Sequence, residues 1–381
     1  MREVSIVGIG QVPVKKRYDE KMRVIGAQAT RNAMADASVD SVDALFAGNM
    51  LSDELQSQKH IAAFIADEVG LRGIEALQVR AATATGAAAL RMAYLAVASG
   101  EANLAVAVGT EQMSMGLPTP ALAKALDAEK EVAAGENLIS KNADLMRLYM
   151  QRYGMPGNGL ANFAINAHAN AVHNENALFP KKVTARDVRM SRMIIDPIRL
   201  LDCSPICDGA AAVVLAPRNE ARAYSSHPVH ILASSVATDR FRVEDREDPL
   251  ALEAAKLSVF EAFRRANINR KDVTFFEAHD AFSIMACLLL EAVGFAEPGQ
   301  GWRLAAEKQI FKNGEIPIAT MGGLKARGHP IGATAIYQCC EIVLQLTERA
   351  GKNQIRNPKI GLLQSVGGAA STVLTHVFGV D

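Results

Sequence analysis

IPIATMGGLKARGHPIGATAIY, residues 316–337, decides how this chain is read. A short apolar strand leads into a glycine turn, and Gly328-His329-Pro330-Ile331-Gly332 then opens a helix expected near Ala333. Gly322 and Gly323 allow a backbone that β-branched residues cannot follow, and Pro330 fixes φ next to the histidine. The helix start is expected to aim its unpaired N–H groups at the space around His329. A histidine on a rigid turn at a positive helix end suits a developing oxyanion.

Working outward, the chain reads twice in the same order. Strands are predicted at Val4–Gly8, Val42–Gly48, Ala76–Ala82 and Leu104–Gly109. Helices are predicted over Met22–Asp36, Leu51–Val69 and Ala84–Ser99, the last stopped by Gly100. The second half offers strands at Val229–Ala237, Val273–Ala278, Lys359–Gln364 and Ser371–Val377, with helices over Leu250–Asn267 and Phe282–Val293. SVDALFAGNM aligns with KDVTFFEAHD, and VRAATATGAAALRMAYL with TMGGLKARGHPIGATAIYQCC. A duplicated β-α-β unit follows, giving an α/β fold.

The repeat also locates an insertion. The last two strands of the second half are nearly contiguous, whereas their first-half counterparts, Leu104–Gly109 and Ala210–Ala216, are far apart. The expected division is 1–109 with 208–226, an inserted part 110–207, and 227–381. Helical stretches are predicted in the insertion near Leu145–Arg152 and Leu160–His173. It carries Met113, Met115, Met146, Met150, Met155, Met190 and Met193. These are read either as an adaptable acyl-binding lid or as the core of a subdomain.

Forty-one basic and forty-one acidic residues give zero formal net charge, which argues against nucleic acid as a partner. No apolar run reaches the length of a membrane span, so no membrane insertion is expected. The N-terminus enters a strand at once and reads as carrying no signal peptide; cytoplasm is the expectation. Cys203, Cys207, Cys287, Cys339 and Cys340 form no CxxC pair, so neither a disulfide framework nor a metal site is suggested. Gly8 and Gly10 lack the third glycine and acidic residue of a dinucleotide fingerprint.

Longer strings carry a resemblance. GTEQMS at Gly109, DPIRLLDCSPICDGAAAVVLA from Asp196, EAHDAF from Glu277, GGLKARGHPIGATA from Gly322 and QSVGGAASTVLTHVFG from Gln364 are similar to the thiolase superfamily, especially its sterol-carrier-protein-2-type and archaeal branch. The resemblance covers nearly all of the chain. It implies a duplicated five-layer α-β-α-β-α thiolase fold with an inserted loop domain, coenzyme A thioester substrates, no covalently bound cofactor, and a homodimer or dimer of dimers.

It also implies sites. The family nucleophile is a cysteine in a string like V-E-A-A-C-A-S-G, and residues 79–86 here read V-R-A-A-T-A-T-G, placing Thr83 at that position. A threonine hydroxyl is far less acidic than a thiol and needs a strong adjacent base. Thr83 is therefore read either as an activated nucleophile or as the N-cap of the helix that follows. The two other family thiol positions hold Ala281 and Ser365. What the resemblance retains is the oxyanion machinery: His279 and His329 for a thioester oxygen becoming an enolate, and the N–H groups of residue 83 and Gly367 as a second hole.

An acyl-CoA enzyme that makes or breaks a C–C bond is the expected function. The alternatives are a retro-aldolase acting on 3-hydroxyacyl-CoA, a non-catalytic subunit needing a partner, and a coenzyme A thioester sensor. Cysteine-free relatives that cleave side chains commonly pair with a small OB-fold protein, though they tend to use tyrosines where this chain has histidines. Lys181, Lys182 and Arg186 are read either as phosphate contacts for coenzyme A or as a solvated surface. His60, His168, His173, His227, His230 and His376, and all five cysteines, are read as structural.

Overall fold

The computed structural model describes residues 1–381. The first half runs β1 (Val4–Gln11), α1 (Met22–Asp36), β2 (Ala44–Gly48), α2 (Ser52–Leu55), α3 (Ile61–Val69), β3 (Glu75–Val79), α4 (Thr85–Ser99) and β4 (Ala105–Gln112). The inserted part carries α5 (Pro118–Ala123), α6 (Leu138–Tyr153), α7 (Ala161–Ala171), α8 (Ala185–Met190) and the hairpin β5 (Met193–Ile195) and β6 (Ile198–Arg199). The chain then returns through β7 (Asp208–Pro217). The second half follows with β8 (Val229–Thr238), α9 (Glu253–Ala266), β9 (Phe275–Glu277), α10 (Ser283–Val293), α11 (Gly301–Ala306), α12 (Ile331–Leu346), β10 (Ile360–Gly367) and β11 (Thr372–Gly379).

The strand order β3-β2-β4-β7-β1-β8-β11-β10-β9 reads the same from either end once the halves are superimposed, except that the counterpart of β3 is reduced to a single bridge at Ile318 beside β9. Each half pairs its neighbours with the same senses, β2–β4 and β9–β10 parallel, β4–β7 and β10–β11 antiparallel. The two half-sheets meet only through Val4–Ile6 against Val229–Ile231. That short seam lets them fold over α4 and α12, which pack on each other and on strands of both halves. The result is the duplicated five-layer α-β-α-β-α arrangement.

Side-chain alternation writes the layers into the sequence. In β7, Ala210, Ala212, Val214 and Ala216 face α1, while Ala211, Val213 and Leu215 face the central helices. Because both faces are covered, the strand is apolar throughout rather than alternating. Helix α12 follows the same logic: all but one of its residues are buried, as expected of a helix apolar on every side. A third apolar layer joins α9 and α10 to the far sheet face and continues into the insertion through Tyr149 and Phe163.

Two predicted elements differ. The helix expected over Leu51–Val69 is broken, because Ser57 and His60 adopt φ of 54° and 63°. No helix accommodates such residues, and the stretch contains no Gly or Pro to announce the break. The strand expected after Ile316 shrinks to one parallel bridge, Ile318 to Phe276, ended by Ala319 at φ 49°. Strand β4 runs on to Gln112, so the chain leaves the sheet at Met113. No helix is long and apolar enough to cross a membrane.

The halves touch most closely at Gly332. A Cβ there would lie 2.5 Å from the Gly48 carbonyl oxygen and 2.9 Å from that of Thr110, both backbone atoms with nowhere to go. Gly332→Ala is therefore expected to lower stability by about 1–3 kcal/mol, the usual cost of overpacking a tight interior. Thermal unfolding measures it, and an unchanged midpoint would contradict the close approach.

Candidate active site

The glycine turn behaves as the sequence implies: Gly322, Gly323 and Gly328 have φ of 112°, 54° and 118°, and Pro330 sits at −75°. His329 is thereby fixed at the foot of α12. Its N–H donates to Cys207 Sγ (3.2 Å), and its Nδ1 lies 2.7 Å from Thr334 Oγ1, one helical turn on. His279 follows β9, and the two rings stand edge to face with centroids 5.1 Å apart. Burial drives the His279 imidazole down to about 3; burial, then the neighbouring His279 and Arg327, hold His329 well below its ordinary range. Both are neutral near pH 7, so what they offer is N–H donors and lone pairs rather than charge.

Thr83 enters the same cavity from the first half. Its hydroxyl donates to the Val366 carbonyl (2.6 Å) and accepts the Gly368 N–H (3.1 Å), bonds that reach across to β10 and the turn beyond it. The expected capping role is thus overturned: α4 has no side-chain cap, and the local hydroxyl bonds belong to Thr85. Thr85 Oγ1 accepts from Ala81 N–H and donates to the Ala82 carbonyl, bracing Ala82 at φ 47°. A left-handed non-glycine residue costs on the order of 1–3 kcal/mol, and such strain gathers at functional sites. Here it sets the direction of Thr83.

The cavity encloses about 110 Å³, and Thr83, His279 and His329 all line it. Gly367 does not; its neighbours Val366 and Gly368 do. Gly367 ends the β10–β11 pairing opposite Thr372, where a Cβ would come 2.7 Å from the Ala81 carbonyl. Ser365 is fully buried with an unpartnered hydroxyl and also lies off the cavity. Ala281 is on it, beside Phe282 and Met285.

Several expectations need correction. The helix start does not leave its N–H groups free for His329, because Gly332 N–H is taken by Glu111 Oε2 at 3.1 Å. Of the seven methionines in the insertion only Met113 reaches the cavity; Met146 and Met155 pack in the core, and Met190 and Met193 face solvent. Leu122, Leu138 and Ile139 form the insertion's apolar wall instead. Lys181, Lys182 and Arg186 are all away from the cavity, Lys182 lying in a separate hollow with His173, Lys312 and Lys352. Cys203 packs against the core of the second half, as expected, and also lines the cavity, with burial raising its thiol to about 11.

Sequence reasoning also missed Asn142, a buried residue of the cavity lining whose Oδ1 has no hydrogen-bond partner in the chain. No signal in the sequence pointed to it, since it lies three residues before the helix expected at Leu145–Arg152 and inside the longer α6 that forms. The other six histidines line no part of this site, and His376 holds the Ala87 carbonyl at 3.2 Å. No group of three or more His, Cys, Asp or Glu side chains is arranged to hold a metal.

With this geometry in hand, comparison with known proteins is informative. The structure is similar to that of the Ltp2-ChsH2(DUF35) aldolase, with a TM-score of 0.86, 22% identity, and 100% and 98% of the two chains covered. It is also similar to an acetyl-CoA acetyltransferase from Syntrophomonas wolfei, with a TM-score of 0.75 at 16% identity, covering 100% and 99%. At these identities the likeness speaks for the fold. Sterol carrier protein 2 of Homo sapiens is 29% identical over 98% of this chain and 72% of its own length. Acetyl-CoA acetyltransferase of Methanothermobacter thermautotrophicus is 40% identical over 99% of this chain and 100% of its own. The thiolase N-terminal domain family matches residues 4–219 and the thiolase C-terminal domain-like family residues 235–380. The two matches divide where the duplication does, and the chain belongs to the thiolase family.

Proposed function

We propose that this chain makes or breaks a carbon–carbon bond beside a coenzyme A thioester by holding the thioester oxygen as an enolate between His279 and His329, with no acyl group carried on residue 83. One observation supports this above others. The hydrogen of the Thr83 hydroxyl is committed to the Val366 carbonyl, and its oxygen already accepts Gly368 N–H. A carbonyl is not a base, and neither histidine is hydrogen-bonded to Oγ1, so nothing raises its nucleophilicity. An oxygen ester formed there would also be uphill to return to a thiol.

The reaction that best suits these groups is cleavage of a 3-hydroxyacyl-CoA, or the reverse aldol addition. The C2–C3 bond breaks, its electron pair passes into the enolate, and C3 becomes a carbonyl as its hydroxyl proton passes to solvent water. C2 then takes up a proton, giving a shorter acyl-CoA and an aldehyde or ketone. His329 with its Thr334 contact, and His279 5.1 Å away, would supply preorganised donors to the oxygen on which charge develops. The free Asn142 Oδ1 suits the 3-hydroxyl. The second hole of this reading, the backbone N–H groups of Thr83 and Gly367, is carried over from the resemblance alone, since Gly367 does not line the cavity, and coenzyme A enters as part of the substrate.

Two assembly proposals go with it. β3 is the free edge of the sheet, with Leu77 half exposed on it, which supports pairing with a second copy as homodimer or dimer of dimers. Sedimentation as a monomer at micromolar concentration would count against that. A small OB-fold partner is also proposed, by analogy with the DUF35 component of the similar aldolase; a chain fully active alone would make it unnecessary.

The deciding experiment offers the chain both chemistries, with and without that partner. Cleavage of 3-hydroxyacyl-CoA is expected, within about tenfold of wild type in Thr83→Ala and reduced on the order of a hundredfold or more in His329→Ala, the typical worth of one oxyanion donor. Thiolysis of 3-ketoacyl-CoA by free coenzyme A that disappears in Thr83→Ala would instead make Thr83 the nucleophile and the chain a transferase.

A further inference from the structure

Sixteen buried side-chain N or O atoms have no hydrogen-bond partner in the chain, and five belong to His279 and to residues linked to its stretch of chain: Glu277 Oε2, His279 Nδ1, Arg327 Nη2, Gln338 Oε1 and Glu341 Oε2. Other bonds tie these residues together. Gln338 Nε2 donates to the carbonyl of Ala278, the residue between Glu277 and His279. Arg327 Nε donates to Glu341 Oε1 at 3.0 Å, and Glu341 lies one turn from Gln338 on α12. An unpartnered buried polar atom costs about 1–3 kcal/mol, and a group of them is the setting in which enclosed water is held.

The charges in this cluster do not balance. Glu277, Asp280 and Glu341 are three buried acids facing two buried cations, Lys325 and Arg327, and Asp202 is a fourth buried acid beside Lys325. Ionised together they would leave negative charge in excess without solvent, and a proton on the carboxyl farthest from the cations reduces it. Asp280 Oδ1 accepts Leu324 N–H and lies near Lys325 and Arg327, and Glu341 has Arg327 directly. Glu277 has neither: its Oε1 takes the N–H and hydroxyl of Thr320, and no cation reaches it. Burial and the nearby Glu341 both push its carboxyl upward. The proton belongs on Glu277 Oε2, the unpartnered oxygen.

We infer that Glu277 is a positioning residue for His279, donating from its protonated Oε2 through one enclosed water to Nδ1, so that the imidazole keeps its proton on Nε2 and presents a donor to the cavity. The arrangement matches what Thr334 does for His329, whose Nδ1 is already held by a hydroxyl at 2.7 Å. With the Thr334 hydroxyl donating, as the proposed function requires, both imidazoles would be backed by O–H donors and present N–H forward to an enolate oxygen. Ionised Glu277 would do the reverse, drawing the His279 proton back to Nδ1 and turning a lone pair on the substrate. This inference rests on the reading of His279 as an oxyanion donor, but its test need not.

The test is the tautomer of His279, read from imidazole ¹⁵N shifts in the full-length protein, assigned by the signal lost in His279→Asn and followed with pH in wild type and Glu277→Gln. Expected is an Nε2–H imidazole in both at pH 7. In wild type it converts toward Nδ1–H as alkaline pH ionises Glu277, and in Glu277→Gln, whose amide cannot ionise, it does not. Cleavage by wild type should then fall about tenfold per pH unit over the range where Glu277→Gln stays level, as a single required proton dictates. An Nδ1–H imidazole in wild type at pH 7, or identical pH behaviour in the two proteins, would overturn the inference. The expected tautomers with no turnover of any acyl-CoA would leave it standing and remove the proposed function instead.

Discussion

The Glu111 carboxylate, fully buried, takes the N–H groups of Met50 and Leu51 from its own half and of Gly332 from the other, with Asn49 Nδ2 as a fourth donor. Burial alone would make a charge here prohibitive, and it pushes the carboxyl up to about 7 against the pull of those donors. The bond to Gly332 spans 221 residues and fixes the start of α12 against the ends of β2 and β4. His329 sits three residues before Gly332, so its place in the cavity is inherited from this contact. Losing Glu111 would leave three backbone donors buried without acceptors, each worth about 1–3 kcal/mol, while Asn49 Nδ2 would keep the Thr110 carbonyl.

A second tie between the halves does chemical rather than architectural work. The Thr83 hydroxyl bridges the turn before α4 to the Val366 carbonyl and Gly368 N–H, so the residue that the family pattern would make a nucleophile is occupied as a latch. The strained Ala82 and the Thr85 clamp hold that turn ready. In the proposed function the neutral imidazoles are the groups that face the thioester oxygen, with Thr334 against His329 Nδ1 and the buried acids proposed to hold His279. Catalysis by fixed donors needs this kind of support, because a donor free to turn away contributes little.

Much of this was legible in the sequence. The repeat, the GHP turn and Gly100 as a helix stop rest on local pattern, whereas the five-layer fold and the grouping of Thr83, His279 and His329 came from the resemblance of longer strings to the thiolase superfamily. What escaped is what local pattern cannot carry. Nothing in Ser57 or His60 announces a left-handed backbone, and the methionine count says nothing about which way each side chain points. The partners of Glu111, Thr83 and Thr334 are set by how the halves close, and two of those three contacts join residues more than two hundred positions apart. Gly367 shows the middle case, a glycine required by the Ala81 carbonyl against it rather than by the cavity beside it.

The central claim is that this cavity stabilises an enolate without a covalent intermediate, and exchange of the C2 hydrogens of an acyl-CoA with deuterated solvent tests it most directly. The expected result is exchange catalysed by wild type and by Thr83→Ser alike, falling on the order of a hundredfold in His279→Ala. No exchange above the uncatalysed rate with acyl-CoA demonstrably bound, or exchange untouched by loss of His279, would contradict the account.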